Sequence, residues 1–132
     1  MLLNIGDLVT AHYKSGKYTG LITAIRPGGY TIKISSVLRH PAQGDLHNPN
    51  VADVPFFHER KALAEGEQAN IPESSVHLFN GETANYIDSL LAAVVKLENR
   101  LLAKDDAFTV RSLQTLQAVK KEYALMYKIS FE

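Results

Sequence analysis

Tyr18-Thr-Gly-Leu-Ile-Thr-Ala-Ile25, Arg26-Pro-Gly-Gly29 and Tyr30-Thr-Ile-Lys-Ile-Ser-Ser-Val-Leu38 follow one another without a gap. Two runs rich in β-branched and aromatic residues, joined by a short turn phrase, read as an antiparallel hairpin. Ile32 and Ile34 alternate with Thr31 and Lys33, so one face of the later run turns inward and the other meets water. Upstream, Asp7-Leu-Val-Thr-Ala-His-Tyr13 is a third run of the same kind, connected through Lys14-Ser-Gly-Lys17. The glycines of both turn phrases are expected to take positive φ, which gives a three-strand meander.

Three strands leave open edges and little core, so the sheet needs strands from further along the chain. Lys61-Ala-Leu-Ala64 and Ser74-Ser-Val-His-Leu-Phe79 are the candidates. Five short bent strands opening on Gly6-Asp-Leu-Val9 resemble a small SH3-like barrel, with residues 39–60 as a long insertion between two of its strands. Past Asn80-Gly81 the period changes. Tyr86, Leu90, Val94, Leu97 and Leu101 recur at spacings of three and four, widened by Ile87, Leu91 and Val95, and predict a helix of about five turns. Lys104-Asp-Asp-Ala107 interrupts it with carboxylates suited to a cap, and Val110, Leu113, Leu116, Val119, Tyr123 and Met126 carry the period onward to near Tyr127. So short a break predicts an antiparallel helical hairpin. The expected fold is α+β: a barrel unit over residues 1–80, interrupted at about 39–60, and a helical hairpin over 81–132 packed on it.

Composition narrows the function classes. The chain has 132 residues and no cysteine, which excludes thiolate metal sites, iron–sulfur clusters and a thiol nucleophile. Fourteen basic residues balance fourteen acidic ones. The balance also holds locally, with seven of each sign in residues 1–80 and seven of each in 81–132. A nucleic-acid binder of this size carries a basic excess, because phosphate neutralisation dominates its affinity; none exists here. The opening Met1-Leu-Leu-Asn-Ile-Gly-Asp7 lacks a basic signal-peptide start, and no apolar stretch reaches spanning length. A cytoplasmic protein without direct membrane insertion is expected.

The functional question concentrates in Arg39-His-Pro-Ala-Gln-Gly-Asp-Leu-His-Asn-Pro-Asn-Val-Ala-Asp-Val-Pro-Phe-Phe-His-Glu-Arg60, which holds three of five histidines and three of five prolines. His40, His47 and His58 with Asp45, Asp53 and Glu59 are chemically adequate metal ligands. A metal-binding module or metal-dependent hydrolase is therefore the alternative function, although the seven- and eleven-residue spacings match no compact ligand motif. Ser35, Ser36, His40 and Asp45 can be assembled on paper as a catalytic set, but no Gly-x-Ser-x-Gly elbow or phosphate-cradling glycine loop supports them. Gly44-Asp45 and Asn48-Pro49 are turn phrases whose side chains can pair loop amides. Glu59-Arg60-Lys61 reads as a solvated charge cluster. Phe56-Phe57 argue for order, with one ring expected to plug the barrel and the other to face the helices or a partner. Tyr13, Tyr18 and Tyr30 are expected to line a rim with wet hydroxyls.

At His40-Pro-Ala-Gln-Gly-Asp-Leu-His-Asn-Pro49 and Ala52-Asp-Val-Pro-Phe-Phe-His-Glu-Arg-Lys-Ala-Leu63, and less specifically at Ile5-Gly-Asp-Leu-Val9 and Gly16-x-Tyr-x-Gly20, the chain resembles the kinase-associated lipoprotein B (kinase-associated protein B) family of spore-forming Gram-positive bacteria. The resemblance implies a non-enzymatic accessory protein of a sensor histidine kinase in the sporulation phosphorelay, with no cofactor. It implies a kinase or another phosphorelay protein as partner, membrane association only through that partner, and leaves a homo-oligomer open. It supplies no catalytic residues. His40, Gly44, Asp45, His47, Asp53, Phe56, Phe57, His58, Glu59 and Arg60 are carried over as interaction or structural positions. The absent cysteine departs from the lipid anchor in the family's name.

Overall fold

In the computed structural model, which describes residues 2–131, β1 spans Leu8–Tyr13, β2 Gly16–Arg26 and β3 Gly29–Arg39. Met1 and Glu132, the outer ends of the two expected units, lie outside the described residues. The three strands form the expected antiparallel meander. Between β2 and β3 the turn is Pro27-Gly28, with Gly28 at φ +78° as the turn phrase predicts, while Gly29 pairs with Arg26 in the ladder and does not take positive φ. Between β1 and β2 the glycine expectation fails. Lys14 and Ser15 take φ +45° and +69°, while Gly16 pairs with Tyr13 inside the ladder. A type I′ hairpin turn takes positive φ at both central positions, and the strand register puts Lys14 and Ser15 there. Gly16 is needed for space, because a Cβ would lie 2.5 Å from the Tyr18 hydroxyl.

The remaining strands are β4, Gln68–Pro72, and β5, Val76–Leu78, separated by a single 3-10 turn over Glu73–Ser75. The strand order is β4-β3-β2-β1-β5, antiparallel throughout. The sheet is open: β4 and β5 are its two edges and share no ladder. Ser74–Phe79 thus contains the expected strand, but Lys61–Ala64 forms none, and β4 lies seven residues later. Its residues are poor strand formers. They alternate correctly, with Ala69 and Ile71 buried, and Thr31 of β3 donates to Asn70 Oδ1 at 2.7 Å.

The helices are α1, Tyr86–Leu102, and α2, Ala107–Tyr127. Asn85 caps α1 through Asp88 N, and Asp106 caps α2 through Thr109 N at 2.8 Å, the role expected of the interrupting carboxylates. They fold back on each other, with Glu98 accepting from Gln117 and pairing with Lys120 at 2.9 Å. α1 lies on the sheet: Val37 N of β3 donates to Ser89 Oγ, which donates to Tyr86 O. Val9, Ile22, Ile32 and Ile34 of the sheet, Leu90 and Val94 of α1, and Leu116 and Val119 of α2 belong to one buried core. Each fully buried side chain of this kind contributes about 1.5–3 kcal/mol. The apolar stripes overreached at Val95, which widened that of the first helix, and at Val110 and Met126 in the period of the second, since all three are exposed.

Candidate functional site

The connection from β3 to β4 occupies residues 40–67, and its first and last stretches are bound to each other. Gln43 is buried; its Nε2 donates to Arg60 O at 2.8 Å and Pro41 O at 3.2 Å, and its Oε1 accepts from Arg60 N at 2.8 Å. A side-chain amide has the donor and acceptor of a peptide group, so Gln43 serves Arg60 as a neighbouring strand would. Gly44 N adds a bond to His58 O at 2.9 Å. Arg60 Nη1 donates to Ala42 O and Gly44 O at 3.0 and 3.1 Å. The Arg60 guanidinium is therefore a staple within the loop. Lys61 pairs with Glu122 of α2, and Glu59 and Lys61 are exposed, while Arg60 is drawn into the loop.

His40 is the deepest of the predicted site residues, 1% exposed. Its Nδ1 lies 2.9 Å from Pro41 O, which only accepts, so Nδ1 carries the proton. Nε2 then accepts from the Tyr123 hydroxyl at 2.8 Å, and that hydroxyl accepts from Ala62 N at 2.7 Å. Both ring nitrogens are occupied in the neutral form. Burial pushes the His40 pKa down to about 4 against a smaller upward pull from the Pro41 carbonyl.

Tyrosine hydroxyls also replace the ladder that Lys61–Ala64 lacks. Tyr18 accepts from Leu63 N at 3.2 Å, and Tyr86 donates to Leu63 O at 2.5 Å. Buried amides must be paired, and here side chains from β2, α1 and α2 pair them. Burial raises the Tyr18 pKa to about 12 and moves those of Tyr86 and Tyr123 upward as well. The expected rim of wet tyrosines is corrected in consequence. Tyr18 is buried, and Tyr13, Tyr18 and Tyr30 stack on none of one another among the described residues.

Beyond Gly44 the loop turns outward. Asp45 Oδ1 accepts from His47 N at 2.9 Å and Oδ2 from Asn48 Nδ2 at 3.0 Å, the turn role expected of an Asx residue. These bonds hold its carboxyl below the usual carboxylate range. Phe57 packs on Phe108 of α2, ring centroids 5.9 Å apart, with the Arg111 guanidinium 4.6 Å from its ring centre. Arg111 also donates to Ala52 O. Phe57 thus plugs no barrel; it docks the tip on α2. Its neighbour Phe56 faces out, 71% exposed, and stacks on exposed His58.

The metal and catalytic sets are not assembled. Among the described residues no group of three His, Asp or Glu side chains converges as metal ligands do. His40 is buried in the base, while His47, Asp53, His58 and Glu59 are exposed along the loop. Of the paper catalytic set, Ser36 is committed to Thr19, Oγ to Oγ1 at 2.5 Å, and Asp45 to its own turn.

A loop so fully specified invites comparison with known proteins. The kinase associated protein B family matches residues 13–124, from β1 through the loop and nearly to the end of α2. The chain belongs to this family. Kinase-associated lipoprotein B of Bacillus subtilis (strain 168) is 50% identical over 118 residues, covering 89% of this chain and 92% of that protein. The X-ray crystal structure of kinase-associated protein B from Bacillus cereus resembles it at a TM-score of 0.82 and 44% identity, covering 92% of this chain and 98% of that one.

The family's name carries association with a kinase, and the Bacillus subtilis relative is also named a lipoprotein. None of the 132 residues here is a cysteine to acylate, and no helix among the described residues is long and apolar enough to cross a membrane. Within this chain, sequence reasoning overlooked Gln43, Arg111 and Tyr123 as loop-binding residues. Gln43 alone carried a signal, as an uncharged amide beside a Gly-Asp turn. Arg111 and Tyr123 act across 59 and 83 residues of chain, and helical periodicity assigns them only a face.

Proposed function

We propose that the chain is a non-enzymatic accessory protein of a sensor histidine kinase in the sporulation phosphorelay, acting by protein–protein contact through the tip of the 40–67 loop. The observation that carries this reading is Phe56, a ring 71% exposed on a segment whose base is bound on three sides. An exposed aromatic on a preordered loop loses little further entropy on docking and can fill a pocket on a partner. The family's kinase association supports a kinase as that partner. The chain reaches the membrane through it. The strand order and the 3-10 turn joining β4 to β5 support an SH3-like ancestry for the open sheet.

Crosslinking and co-purification from the host test the contact. The parent chain captures the kinase or a phosphorelay protein, and Phe56→Ala reduces capture roughly tenfold or more. Deleting the gene lowers sporulation and phosphorelay output. Unchanged output, or equal capture by the Phe56→Ala chain, overturns the reading.

A further inference from the structure

Where the end of α1, the start of α2 and the base of the loop meet, a cleft of about 370 Å³ opens, a size that holds a small organic ligand. Leu97, Leu101 and Phe108 give it an apolar wall, and Arg100 and Lys104 stand at its rim. Neither cation forms a salt bridge among the described residues, where the pairs are Lys61 with Glu122 and Lys120 with Glu98. Asp106, the single carboxylate lining the cleft, caps Thr109 N at 2.8 Å and interacts with Lys104 through its charge alone, which leaves the hydrogen-bond donors of both rim cations available. Arg39, Lys96 and Arg100 line a small adjoining pocket of about 40 Å³, which extends the positive rim. This concentration stands out in a chain whose charges balance overall.

A second observation is independent of charge. Ser112 also lines the cleft, is 1% exposed, and its Oγ is buried without a hydrogen-bond partner among the described residues. Buried hydroxyls are nearly always paired, and one left unpaired beside a cavity marks a place for a polar group that the chain does not supply. Gln43 cannot supply it, because its amide is spent on Pro41 and Arg60.

We infer that this cleft binds a small amphipathic anion, a carboxylate or phosphate ester on an apolar body, with its charge between Arg100 and Lys104, its body on Leu97, Leu101 and Phe108, and Ser112 as a hydroxyl partner. Such a ligand touches α1, α2 and, through Ala42 and Asn50, both the base and the tip of the loop. Binding would therefore tie the loop more firmly to the helices and make the displayed tip responsive to a metabolite.

The test uses the purified full chain alone, so it stands or falls separately from kinase binding. Isotope-labelled protein is titrated with phenyl phosphate and with hexanoate while amide resonances are followed by NMR; inorganic phosphate and hexanol serve as charge-only and apolar-only controls. The expected result is saturable shifts centred on residues 97–112, at concentrations at least about tenfold below those needed for either control. Arg100→Gln combined with Lys104→Gln weakens binding about tenfold, the worth of a charge-assisted hydrogen bond, without moving the melting temperature of the unliganded protein. Ser112→Ala weakens it less. Shifts that fail to saturate, controls that bind as well as the amphipathic anions, or an Arg100/Lys104 variant that binds like the parent would overturn the assignment.

Discussion

The base and the tip of the 40–67 loop both carry histidine, proline and charged residues, and they have opposite physical roles. At the base, His40, Gln43 and Arg60 spend their polar atoms on backbone and on Tyr123, and the chain is as fully paired as a strand without being one. At the tip, His47, Asp53, Phe56 and His58 face water, while Phe57 and the Ala52 carbonyl hold it to α2. A histidine is therefore no index of a site by itself. What distinguishes His40 from His58 is that a hydroxyl 83 residues away meets the ring of one and not of the other.

Breaking the base should have the largest effect. Tyr123→Phe leaves His40 Nε2 and Ala62 N without their partner and is expected to cost about 3–4 kcal/mol by urea denaturation. A cost under about 1 kcal/mol would mean that water or a shifted loop repairs the network. Acid sharpens the same contrast. His40 titrates near 4 when folded and near 6.5 when unfolded, so the unfolded chain binds more protons between those values. The stabilisation is complete above pH 6.5 and is lost as pH falls toward 4, about 3 kcal/mol in all. In a His40→Asn chain the stability profile over that window should be flatter than the parent's.

At the boundary between the regions, Gly44 has φ +101°, and a Cβ there would lie 3.0 Å from the Phe57 ring. Gly44→Ala should cost about 2 kcal/mol, combining left-handed backbone strain with displacement of the ring from Phe108. At the tip, Phe56→Ala should change stability by less than about 0.5 kcal/mol, since the ring is largely solvated already. If calorimetry instead shows a loss comparable to that of Gly44→Ala, the ring is structural and the distinction between base and tip fails.

Much of the fold was legible because it rests on local periodicity. The meander from Asp7 to Leu38, both helices and the Asp106 cap follow from spacing and turn chemistry within a few residues. β4 was not legible, because Gln68-Ala-Asn-Ile-Pro72 has little strand propensity and owes its state to pairing with β3. Lys61–Ala64 erred in the opposite direction: its bonding comes from three tyrosine hydroxyls that no local pattern announces. Within the loop, adjacent Phe56 and Phe57 implied opposite faces, and that alternation holds. Which ring faces out depended on where α2 presents Phe108 and Arg111.

By itself, then, the sequence determined the three-strand meander, the two helices, the ordered character of the loop and the family to which the chain belongs, because each depends on patterns carried by neighbouring residues. Only the tertiary structure decided that the sheet stays open, that His40 is a buried neutral link and not a ligand, and that Phe56 is displayed. These depend on groups brought together from distant parts of the chain, and burial and partner geometry decide whether a histidine, an amide or a ring serves the fold or faces outward.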